Sequence, residues 1–324
     1  MTLPPAADLG RMALALAAGA LGGLGASAIS MPLPWMLGAM VACTLLALVK
    51  APIEGPMPIR PPMIMVLGVM LGSGFTPSML ERAGEWAASL ALLGAYIAVV
   101  GASFGGDDRR IVLTHASRIL LAVLAIPIFF RLTTDIDMTD RSRFGVSMWE
   151  VGLADYAILV ACAVVGWPLA RLVRLPAALL VGPMLVSAGV HLAGLSAAQP
   201  PLEIVNLAQW IIGTVIGCRF VGVHRREILR VIKLSVGSTA MMLAVTFAFA
   251  LLLHWLVGAR IDTVVLAYAP GGLAEMSLVA LALGTDVAFV ATHHVVRIML
   301  VVVAAPTAFR WLHRPQRETE PDAP

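Results

Sequence analysis

Apolar residues gather into eleven long runs, and that feature limits what the chain can become. They fall at about 12–29, 35–49, 63–75, 86–104 and 111–130, then at about 151–170, 177–195, 204–217, 234–257, 263–283 and 287–309. A helix needs about 20 apolar residues to cross the hydrocarbon core, and several runs reach that length. Of the 324 residues only 13% are charged and 60% are hydrophobic, with a mean hydropathy of +0.92. Soluble globular chains carry about 25% charged residues, so too little polar surface is left to coat a soluble fold. The runs also lack the strict alternation of lipid-facing strands. The expectation is an all-α polytopic membrane bundle.

The runs repeat. "PLPWMLGAM" at 32–40 aligns with "PAALLVGPM" at 176–184, an offset of 144. Gly68, Gly72 and Phe75 match Gly213, Gly217 and Phe220 at 145. Gly105, Asp107, His115, Arg118, Pro127, Phe130 and Arg131 match Gly284, Asp286, His294, Arg297, Pro306, Phe309 and Arg310 at 179. Such identities in fixed register describe a tandem duplication. The jump between offsets means that the first copy lacks about 34 residues between Phe75 and Gly105. The chain divides into a first membrane repeat at 11–132, an extracytoplasmic connector at 133–150, a second repeat at 151–312 and a disordered cytoplasmic tail at 313–324. The run at 12–29 follows Arg11 and ends in small residues, as a signal peptide does; the repeat favours a retained helix.

Basic residues near helix ends prefer the cytoplasmic side. The loop with Arg219, Arg225, Arg226, Arg230 and Lys233, and the end with Arg310, Arg314 and Arg317, both belong there. An even number of crossings must separate them, yet three apolar runs intervene. The run interrupted by Pro270, Gly271 and Gly272 is therefore expected to be broken or re-entrant, which is tolerated where protein or a wet cavity surrounds it. Counting back with five crossings per repeat puts Arg171, Arg174, Arg109, Arg110, Lys50, Arg60 and Arg11 inside too. About ten crossings plus the broken segment result, and the two repeats are inverted, as in many secondary transporters.

Glu275 follows the break. A carboxylate at membrane depth costs roughly 2.5–3.5 kcal/mol on insertion scales, so it lines a pathway, pairs with a base or stays protonated. If a half-helix starts near Leu273, free amides there favour an anion, and Glu275 with loop carbonyls offers a place for H⁺ or Na⁺. The alternative is a capped kink in which Glu275 bonds its own helix start. His294 and Arg297 are three apart and share a helix face, as do His115 and Arg118 in the first copy. They read as an inter-repeat network, or Arg297 pairs with Glu275 or with substrate. Gly68, Gly72, Gly213 and Gly217 have the four-residue spacing of close helix contacts in lipid. Gln209, Asn206 and Ser73 are weaker pore candidates, and Asp155 reads as an interfacial cap. Cys43, Cys162 and Cys218 lack CxxC spacing and read as packing residues. The histidines lack a third ligand at useful spacing, so no metal and no other cofactor is expected.

These residues resemble a known family. "PLPWMLGAM", the paired "LGxxLG", "PGGLAEM" with the downstream "GTD", and the HxxR helices look like the AbrB family of bacterial membrane proteins, over about residues 11–312. This family is distinct from the soluble DNA-binding regulator of the same name. The resemblance implies a duplicated bacterial inner-membrane protein, similar to cation/proton antiporters and anion transporters. Members have been labelled regulators of gene expression or ammonia monooxygenases. The family pattern carries a PGG-type element in each half, and this chain departs from it by the missing stretch.

The expected function is an ion-coupled secondary transporter or exporter of a small solute, not an enzyme. Its partners are the bilayer, the solute, H⁺ or Na⁺, and a second copy in a homo-oligomer. A regulatory or sensor role is the alternative; with no DNA-binding domain, no direct contact with nucleic acid is expected. A monooxygenase would need clustered ligands that the scattered histidines do not supply.

Overall fold

The computed structural model describes residues 6–103, 108–133, 145–223 and 225–312. Among them are twelve α-helices and no strand. The first half holds α1 (Ala6–Ala28), α2 (Pro34–Leu48), α3 (Arg60–Ser73), α4 (Ala83–Ser103) and α5 (Asp108–Thr133). The second holds α6 (Leu153–Leu172), α7 (Ala178–Leu192), α8 (Leu202–Gly217), α9 (Arg225–Val257), α10 (Ile261–Tyr268), α11 (Leu273–Leu283) and α12 (Val287–Leu312). Each apolar run holds one helix except that at 263–283, which is split into α10 and α11. Among the described residues of the first half there is no such split pair of helices. Most of the 133–150 connector and the 313–324 tail lie outside the described residues.

Helix α1, helix α6 and the Ser235–Val257 part of α9 are long and apolar enough to cross a membrane, and 22% of each apolar window is buried. Their outer faces expose Leu21, Leu153, Leu172 and Trp255, a surface that suits lipid and not water. Helices α2, α3, α7 and α8 have 15, 14, 15 and 16 residues. At about 1.5 Å per residue they fall short of the hydrocarbon thickness, so among the described residues three helices are both long and apolar enough to cross. These short helices form the interior, where Met36 and Met40 of α2, Leu71 of α3 and Met184 of α7 are fully buried.

The halves pack by exchange. Helix α1 lies on α2 as α6 lies on α7, and α2 lies against α8 as α7 lies against α3. Similarly α5 packs on α9 while α12 packs on α4. The turns match in detail. Leu33 and Ala177, each just before the first residue of its helix, hold left-handed backbone at φ 48° and 51°. Both α2 and α7 end in a Schellman-type turn, with Ala51 N–H donating to Leu46 C=O and Leu195 N–H to Val190 C=O, each at 3.0 Å.

Close backbone approach explains the glycines. A Cβ on Gly38 would strike the carbonyl oxygen of Gly22, and one on Gly182 would strike that of Gly166. Gly68 and Gly72 face the Leu180 and Met184 carbonyls of α7 in the same way, while Gly213 and Gly217 face Met36 and Met40 of α2. Cys43 of α2 donates its thiol to Ala15 O of α1 at 3.4 Å, and Cys218 stands in the turn just after α8.

Candidate functional site

The break between α10 and α11 has a local cause. Pro270 disfavours helical backbone in the residue before it, and Ala269 is extended at φ −54°, ψ 146°. Gly272, just before α11, is also extended at φ −78°, ψ 153°. Two helix ends therefore face one short loop, one exposing carbonyls and the other amides.

Helix α12 satisfies the carbonyls. Arg297 donates from Nη1 to Ala269 O at 2.7 Å and from Nη2 to Gly271 O at 2.9 Å. Its Nη2 also lies 2.9 Å from His294 Nδ1. A guanidinium can only donate, so Nδ1 accepts and the imidazole proton sits on Nε2. That Nε2 donates to Leu266 O at 3.0 Å. The positive charge of Arg297 lies at the C-terminal end of α10, where the helix dipole favours it.

Neighbouring contacts tie the break to the first half. His293 Nε2 is 2.8 Å from Ser89 Oγ of α4, and Tyr268 donates its hydroxyl to Ser89 O at 2.6 Å. His293 Nδ1 donates to Phe289 O at 2.7 Å. Serine and tyrosine here were not singled out by the sequence, since their partner lies across the bundle.

Glu275 occupies the first turn of α11. Its carboxylate folds back over Gly272, against the place a Cβ would take, so it faces its own helix start. Ser277, two residues on, is fully buried with an unpartnered hydroxyl. Glu275 also stands on the wall of a cavity of about 560 Å³ between α3, α6, α7, α8 and α11. Arg60, Arg171 and Arg219 share that wall with Trp167. The rest is mainly aliphatic, with Ile64, Leu67, Ile212 and Ile216.

Of the residues expected to bind solute or ion, Glu275 lines this cavity. Pro270, Gly271 and Gly272 form the loop behind it, and His294 and Arg297 hold that loop in place. The side chains of His115 and Arg118 lie outside the described residues. Ser73 donates to Met70 O of its own helix at 2.8 Å. Gln209 is buried in α8, and Asp155, in the first turn of α6, accepts from Ser196 at 3.1 Å. Among the described residues no three His, Cys, Asp or Glu side chains converge as metal ligands.

Comparison with known proteins adds a relationship. The family profile described as "Transition state regulatory protein AbrB" matches residues 35–104 and 94–313. The "Uncharacterized protein YhjN" of Bacillus subtilis (strain 168) is 26% identical over 359 residues, with 92% of each chain covered. No solved structure matches. Matched over far more than half its length, by stretches that hold the helix break and all four packing glycines, the chain belongs to the AbrB family.

Proposed function

We propose that this protein is a multi-pass inner-membrane secondary transporter that exports a small solute, coupled to H⁺ or Na⁺ at Glu275. The observation that carries this reading is a carboxylate in the first turn after a helix break, on the wall of a cavity large enough for a small molecule. Broken helices at the interface of repeats are where transporters bind their solutes. Two inverted repeats with about ten crossings account for the exchanged packing of α1–α3 and α6–α8. They also account for strained backbone recurring at Leu33 and Ala177.

The cavity's Arg60, Arg171 and Arg219 are all residues that the positive-inside rule puts on the cytoplasmic side. Its mouth therefore faces the cytoplasm, and the natural direction is outward. The Glu275 carboxylate lies over Gly272 at the start of α11, where the positive end of the helix dipole favours its ionised form. An ion bound there would neutralise that charge beside the solute. The family's regulatory description fits an indirect effect through that solute.

The test is current recorded from proteoliposomes on a solid-supported membrane, across a panel of charged and neutral solutes with pH and Na⁺ gradients. A solute-dependent current that follows one gradient is expected, and Glu275→Gln is expected to abolish the coupling while leaving thermal stability within a few degrees. Solute-independent currents, or gradient-driven currents unchanged in Glu275→Gln, would contradict the reading.

A further inference from the structure

The cavity beside Glu275 has an unbalanced wall. Three guanidiniums face one carboxylate there. Among the described residues Arg60, Arg171 and Arg219 form no salt bridge or side-chain hydrogen bond, although the fields of Arg219 and Arg60 reach Glu275. Arg171 and Arg219 are exposed and Arg60 is half-buried, so they give the open side of the cavity an excess of positive charge.

Two helix starts add to the positive field. Residues Ala177 to Leu180 line the cavity at the beginning of α7, and Leu273 to Glu275 line it at the beginning of α11. The α7 start has no side-chain cap, because the residue before it, Ala177, has no hydrogen-bonding group. The amides of a helix's first turn have no partner within the helix. Glu275 covers the start of α11, but nothing comparable covers α7. Both helices contribute the positive end of a dipole.

The remaining wall is hydrocarbon. Ile64 and Leu67 of α3 face Ile212 and Ile216 of α8, with Ile298 of α12 beyond. A bare inorganic anion would leave this surface wet, and a cation would be repelled by the arginines. A volume of about 560 Å³ lies in the ordinary range for organic ligands.

We propose that this cavity binds an amphipathic organic oxyanion, its carboxylate or phosphate head held by Arg60, Arg171 and Arg219 near the α7 start, and its hydrocarbon body laid along α3 and α8. The assignment deepens the transport reading and rests on it for the ligand's onward movement, but binding can be measured without transport. The head chemistry is shared by a soluble cytoplasmic acid and by an anionic lipid. Arg171 and Trp167 are exposed enough for either to reach.

The test uses the purified full-length protein in nanodiscs of phosphatidylcholine, with octanoate and octyl phosphate as probes and calorimetry as the readout. Inorganic phosphate and octyltrimethylammonium serve as controls. Saturable binding of both amphipathic anions is expected, with neither control binding comparably. The double variant Arg171→Gln/Arg219→Gln is expected to bind them at least about tenfold more weakly, since charge-assisted bonds are lost. Its unliganded melting temperature, unchanged, shows that it folds. If phosphatidylglycerol in the nanodisc displaces octanoate, the natural occupant is a lipid; if it does not, the occupant is a soluble acid. Absence of anion binding, equal binding of the cation, or full affinity in the folded double variant would each overturn the assignment. Anion binding without solute-driven current sinks the transport reading and leaves this site standing. Transport of a neutral or cationic solute without anion binding does the reverse.

Discussion

Replacing Arg297 by alanine is expected to lower the stability of the protein by on the order of 4 kcal/mol, read as a large fall in melting temperature in detergent. Neutral interhelical hydrogen bonds in membrane proteins average only about 0.6 kcal/mol, so the size of this effect needs a reason. The guanidinium makes two short bonds, at 2.7 and 2.9 Å, to carbonyls left over where α10 stops. Both are charge-assisted, at roughly 1.5–3 kcal/mol each. Pro270 and the extended loop prevent those carbonyls from finding helical partners, and Ala269 is fully buried, away from water. His294 would also lose the donor that holds its tautomer. Arg297→Lys keeps the charge but not the planar fork, so it is expected to recover only part of the loss. A melting temperature for Arg297→Ala within a degree or two of the parent would refute this account of the break.

The second expected result concerns glycines. Gly38→Ala and Gly182→Ala are each expected to destabilise by on the order of 3 kcal/mol, the upper range for overpacking. In each case the new methyl meets a backbone carbonyl oxygen of the neighbouring helix, which cannot rotate away as a side chain can. The helices must part, and the contacts along the α1–α2 or α6–α7 seam go with them. Gly25→Ala and Gly189→Ala are the controls, since nothing stands within 4 Å of a Cβ at either position. There alanine should be neutral or stabilising by about 0.5–1 kcal/mol, from helix propensity alone. Equal tolerance at all four sites, measured as yield of monodisperse protein and its melting temperature, would show that close approach does not hold the seams.

The positions of these effects were legible to different degrees. The pairing of Gly68/Gly72 with Gly213/Gly217 could be read as helix contact, because four-residue spacing puts both members on one face. Which helix each pair meets could not be read, and the answer crosses the repeat: α3 meets α7, and α8 meets α2. The break at Pro270–Gly272 was visible because proline and glycine act on their own backbone. Whether Glu275 caps α11 or faces a cavity was open in the sequence; in the fold its carboxylate lies over Gly272 and the residue lines the cavity. For His294 and Arg297 the shared face was visible, but the carbonyls that they hold, Leu266, Ala269 and Gly271, belong to another element.

Helix positions and the interruption were determined by the sequence alone, because hydrophobicity and proline geometry act over a few neighbouring residues. Arg60, Arg171 and Arg219 were legible only as charges on one side of a bilayer. Their convergence on one cavity was decided by the tertiary structure. They lie on elements far apart in the chain, and only the packing of α3, α6 and the turn after α8 around the start of α11 puts them on the wall of one cavity.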